Sequence, residues 1–201
     1  SFIAHNDIVL NGSILDSSAG DGDMLNLVFT ADSDLNGSGN LVVDALATVG
    51  TQGGTMQITA RDVDIQGILT AEQDGGSTGD ITISLAGAGQ IVVGDAAYCP
   101  TCTMAISGQE IQNIRASNLI IENSADAIFL DDIVTANIDE IGRLVLDAGG
   151  DIDIGQFTGD NIDMFSAGTI TINDVFFAQS VANLNADNGI VLNADFTANS
   201  L

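Results

Sequence analysis

The sequence has no Lys and no Trp, a single His, Pro and Tyr, two Cys, and aromatic residues at only 4% of its 201 positions. Its three cations are Arg61, Arg115 and Arg143, set against 28 Asp and Glu for a formal charge of −25. Three scattered Arg cannot displace counterions from a phosphate backbone, so nucleic acid is excluded as a partner. An anionic membrane surface is excluded on the same ground. No run approaches the ~18 apolar residues of a membrane span, and direct membrane insertion is not expected. One His (His5) and two Cys leave little for metal or nucleophile chemistry. The near absence of rings means that any core is built from small and aliphatic side chains.

What is present is apolar and repetitive. Apolar residues make up 45% of the chain and charged ones only 15%, so this is not an acidic disordered tail. The acids are mostly single Asp, a turn residue. The chain opens on Ser-Phe-Ile and closes on Ala-Asn-Ser-Leu with neither an initiator Met nor a signal peptide, and the reading is a segment of a longer protein.

The repeat is clearest at the C-terminal end. Residues 144–161, 162–181 and 182–201 align without gaps from their first residues. Leu146, Met164 and Leu184 share one column, Ile152, Ile170 and Ile190 a second, Ile154, Ile172 and Leu192 a third. Each unit holds two short alternating strands parted by a Gly/Asp/Asn turn, and alternation in so brief a strand means one buried face. A further large apolar residue follows the second strand: Phe157, then Val175 with Phe176, then Phe196. It reads as a third inward contact per turn. Upstream, Met56/Ile58 with Val63/Ile65 and Leu119/Ile121 with Ile128/Leu130 repeat the device at looser spacing. No window sustains helical spacing, apart from a short turn near residues 108–115.

A unit of about 20 residues cannot bury its own apolar face, but parallel copies stacked along an axis enclose a continuous column. The expected fold is all-β: a right-handed, three-sided parallel β-helix of nine or ten rungs, each of about 20 residues. Residues 1–201 form a single β-helical segment, with regular rungs over 118–201, looser rungs over 7–93 and an insertion at 94–117.

Three blocks carry a family resemblance. GDMLNLVFTADSDLNGSGNLVV (22–43), ITARDVDIQGILTA (58–71) and SGQEIQNIRASNLIIENSADAIFL (107–130) resemble the β-strand repeats of filamentous-haemagglutinin-like exoproteins of bacteria. The resemblance spans nearly the whole chain. It implies an extracellular, cell-surface shaft that supports adhesion, biofilm contact or display, with a host cell, a neighbouring cell or carbohydrate as partner. It brings no catalytic residues with it. A self-assembling filament or sheath subunit, associating end to end, is the second reading, and a carbohydrate-processing β-helix enzyme the third.

The remaining motifs have plain readings beside sharper ones. Cys99-Pro-Thr-Cys102 lacks the second ligand pair of a zinc site and the following helix of a redox motif. In an exported protein it reads as a small-loop disulfide between Cys99 and Cys102, tying off an insertion between strands at Ile91/Val93 and Met104/Ile106. No cofactor is expected. Asp21/Asp23, Asp32/Asp34 and Asp151/Asp153/Asp160/Asp163 are candidate calcium ligands, against the leading reading of solvated turn residues, because neither a calcium-roll nonapeptide nor a helix-loop-helix calcium loop is present. The Gly-rich stretches 37–40 and 86–89 are followed by neither a helix nor Lys, which argues against phosphate binding.

Overall fold

The computed structural model describes residues 1–15, 24–72 and 79–200. The chain is all-β, with 55% of residues in strands and 5% in helix, and the strands form long parallel sheets. The first sheet follows a path of successive strands: Phe2–Ile3, Leu27–Thr30, Met56–Ala60, Asp80–Leu85, Ile114–Asn123, Ile141–Ala148, Phe157–Ser166, Phe176–Ala186 and Phe196–Ser200. Thr48–Gly50 and Ile68–Thr70 join it through Ile114 and Arg115. A second sheet runs Met104–Ile106, Ile91–Gly94, Ile128–Asp131, Ile152–Ile154, Thr169–Ile172, Gly189–Leu192. A third holds Ile8–Leu10, Asn40–Val43 and Asp62–Ile65.

The pairing registers reproduce the sequence columns. Leu146 faces Met164 and Met164 faces Leu184. Ile152, Ile170 and Ile190 are successive partners, as are Ile154, Ile172 and Leu192. Alternation turns these residues inward, and burying each aliphatic side chain contributes on the order of 1.5–3 kcal/mol. Phe157, Phe176 and Phe196 form a third column whose rings lie 5.2 and 4.8 Å apart between centroids. Val175 departs from expectation. Val175 lies just ahead of the strand Phe176–Ala186, and Phe176 holds the inward place in register with Phe157, which leaves Val175 exposed.

The last strand of the second sheet shows what its neighbours contribute. Ile172 is fully buried, whereas Leu192, next in the same column, is 55% exposed, with no further strand among the described residues over it. Corners rely on Gly where strands crowd. Gly94 has φ of 102°, and a side chain there would run into the carbonyl oxygen of Asp131 on the neighbouring strand.

Within 94–117 the chain steps backwards. The strand Met104–Ile106 follows Ile91–Gly94 in sequence, yet pairs on the side of it away from Ile128–Asp131 and packs against Asp62–Ile65. A one-turn helix, Gly108–Ile111, then leads to Ile114.

Candidate functional site

The segment after Gly94 builds the most elaborate surface. Asp95 caps a single 3-10 turn, Ala96–Tyr98, by accepting the amide of Ala97 at 2.8 Å. That turn packs on the strands Ile91–Gly94 and Ile128–Asp131. Val92, which alternation points outward, is consequently only 1% exposed. The Tyr98 ring meets Phe129 edge-on, with centroids 6.3 Å apart. Cys99 and Cys102 are disulfide-bonded, with Cα atoms 5.4 Å apart, and the Cys102 amide donates to the Cys99 carbonyl.

From this segment a polar ladder runs across successive parallel strands. The Tyr98 hydroxyl donates to the Asp153 carboxylate, Asn173 donates to the same carboxylate at 2.8 Å, and Asn193 donates to Asn173 at 2.8 Å. Burial, with the Asp153 carboxylate beside it, pushes the Tyr98 phenol up to about 12. A second ladder lies on the first sheet, where Arg143 pairs with Asp163 at 2.7 Å and Asn183 donates to Asp163 at 2.7 Å. Arg61 is turned inward on its own chain, donating to the Ala88 carbonyl and to Thr103. The links among Asp153, Asn173 and Asn193 and among Arg143, Asp163 and Asn183 join residues 20 apart, while Tyr98 reaches Asp153 across 55 residues.

The Asp-rich turns use their carboxylates locally. Asp32 has φ of 54° and accepts the amides of Asn36 and Gly37, closing the turn over 32–37. Asp34 meets His5 at 3.3 Å and Asn36 at 3.0 Å. Asp151 accepts the amide of Thr169, while Asp153 and Asp163 sit in the separate ladders of two sheets and Asp160 is exposed. The structure therefore does not bring these four acids together. Asp21 and Asp23 lie outside the described residues. Among the described residues no three His, Cys, Asp or Glu side chains are grouped to hold a metal ion. Gly87 and Gly89 adopt positive φ in a turn, with no helix after it.

The backward step creates a joint that sequence reasoning missed. Asp62 accepts the amide of Ala105 at 3.1 Å, and Glu110 accepts the amide of Ile65 at 3.1 Å. Asn113 donates to the Ile65 carbonyl at 2.8 Å. Side chains here take the place of a backbone ladder between two sheet edges, which satisfies groups that burial would otherwise penalise. Burial raises the Asp62 carboxyl above the usual range, helped by the charge of Asp64 and opposed by the amides it accepts. The detectable signal was Ser107-Gly-Gln-Glu110, a capping box in which each side chain accepts the other residue's amide.

No known family, curated protein or solved structure matches the chain.

Proposed function

We propose that the chain is part of a right-handed, three-sided parallel β-helical shaft of a large bacterial surface protein of the filamentous-haemagglutinin-like kind. Its work is mechanical and adhesive: it extends, displays and contacts, and carries out no reaction of its own. The observation that carries this reading is the parallel register itself, in which the columns Leu146/Met164/Leu184 and Ile152/Ile170/Ile190 pass without interruption from strand to strand. Such stacking suits a rod that lengthens by repetition. The engagement of Arg61 and Arg143 within their own chain agrees with a surface that meets no polyanion.

Labelling intact producing cells with antibodies raised against the chain tests the reading. Surface labelling without lysis is expected, and labelling that requires lysis overturns it.

A second reading is a filament subunit, with another rung of the same chain as the neighbour at its end. It is favoured by the open apolar recess of about 530 Å³ lined by Leu184, Ile190, Leu192 and Phe196. Unpaired strand edges are templates for further pairing, and the charge of −25 that opposes stacking is screened within ~8 Å at physiological salt. Electron microscopy of the purified chain separates the two: uniform rods of fixed axial repeat favour the subunit, monomers or short irregular oligomers the shaft.

A further inference from the structure

Outward positions on the strands are mostly polar, but Leu119-Ile120-Ile121 and Leu144-Val145-Leu146 are continuous apolar runs. Continuous runs belong to parallel strands covered on both faces. The molecule contains its own control: Ile91-Val92-Val93 has the same pattern, and there the turn Ala96–Tyr98 packs on the strand and Val92 is buried. Ile120 and Val145 are partners on adjacent rungs, and both remain half-buried. The next rung sets Phe165, 41% exposed, against Asp147. Outward Val9 and Val42 are likewise partners on adjacent strands, but the next strand sets Asp64 against Val42 and adds no exposed ring; Val191 stands singly and needs no partner. Here the next strand sets Asp163, paired with Arg143, against Val145, and two positions along adds the exposed ring of Phe165.

Charge surrounds this strip. Glu122 and Asp147 are partners on adjacent rungs, and burial together with Glu122 raises the Asp147 carboxyl above the usual range. Beside Phe165 an open groove of about 370 Å³ is lined by Glu122, Ser124, Asp147, Asn185 and Asp187. The ion pairs found among the described residues are His5 with Asp34 and Arg143 with Asp163, so these groove carboxylates lack a cation.

We infer that this face docks a polypeptide segment of another protein that alternates apolar side chains with Lys or Arg. Its apolar groups cover Ile120, Val145 and Phe165, and a cation enters the groove between Glu122, Asp147 and Asp187. A Lys or Arg stem lies along the Phe165 ring and brings its charge to the carboxylates, combining apolar contact with cation–π attraction. A second copy of this chain fits poorly, because it brings the same unneutralised carboxylates to the contact. The inference extends the shaft reading and rests on it only for the partner being a separate molecule.

The test is fluorescence anisotropy with the full chain and three labelled synthetic decapeptides, alternating Leu-Lys, Ser-Lys and Leu-Glu. Saturable one-to-one binding of Leu-Lys is expected, about tenfold or more tighter than Ser-Lys, with none for Leu-Glu. Phe165→Ser, and separately Glu122→Gln with Asp147→Asn, should each weaken Leu-Lys by about tenfold. Removing two carboxylates elsewhere, Asp174→Asn with Asp195→Asn, should change it less than twofold. Val145→Thr, a near-isosteric outward change, provides a second apolar variant, and circular dichroism verifies the fold of each protein. Absence of binding, equal binding of Ser-Lys and Leu-Lys, or equal weakening by the control pair overturns the inference. A dimer in sedimentation equilibrium that Phe165→Ser abolishes also overturns it, by assigning the face to a second copy. None of these outcomes touches the shaft reading, which surface labelling tests.

Discussion

A residue in this fold is worth what its face makes it worth, and neighbours in sequence can differ completely. Ile170 is fully buried between Ile152 and Ile190, while Thr171 on the next position points out beside Asp153. Ile170→Asp leaves a charge without a partner in the column and should cost several kcal/mol, whereas Thr171→Asp should cost less than about 1 kcal/mol. Urea melts of the two variants provide the measurement, and equal midpoints refute the facing. The columns were legible because the last three units align without gaps as far as Ile154, Ile172 and Leu192, so one alignment fixes the inward positions up to that point. Val175 was misread because alternation cannot tell which of two adjacent apolar residues enters. The ladder Asn173/Asn193 was equally visible in that alignment, but polar columns on an outer face do not announce that they bond to one another.

Among the elements, the joint between Asp62–Ile65 and Met104–Ile106 is the least regular contact, and a carboxylate holds it. Because burial raises the Asp62 carboxyl, the folded state binds its proton more tightly than the unfolded chain does. Ionised Asp62 therefore costs stability at neutral pH, and the cost fades as pH falls through the folded value toward the ordinary aspartate range near ~4. Asp62→Asn keeps an oxygen to accept the Ala105 amide and removes the charge. It should raise the urea midpoint at pH 7, with the gain shrinking to nothing below about pH 3.5; a gain that is constant with pH would assign it to something other than charge. The strand at 104–106 could be found from its alternation, but its place before Ile91–Gly94 in the stack could not. Sequence order carries no mark of a backward step.

At the scale of the whole molecule, each unit touches chiefly the one before and the one after. Deleting residues 162–181 joins Asn161 to Ala182, which occupies the register position of Ile162, and sets Leu146 against Leu184 and Ile152 against Ile190. The shortened chain should fold with one cooperative transition and a modestly lower midpoint. Deleting only 162–171 splices the first sheet into the second and should abolish cooperative unfolding. Near-equal melts of the two deletions would refute a stack of interchangeable units.

The backward step also sets the order in which the stack can be assembled. Elsewhere a newly arriving strand finds the edge of its predecessor waiting as a template, so growth from either end proceeds like a zipper, one strand at a time. Ile91–Gly94 is different: its neighbour on the N-terminal side is Met104–Ile106, which is ten residues further along the chain. For a chain emerging N-terminus first, Ile68–Thr70 and Asp80–Leu85 can still add to Thr48–Gly50 and Met56–Ala60, and the zipper then halts until residues 91–106 have all arrived and close together. The Cys99–Cys102 loop lies between the two strands that must meet there.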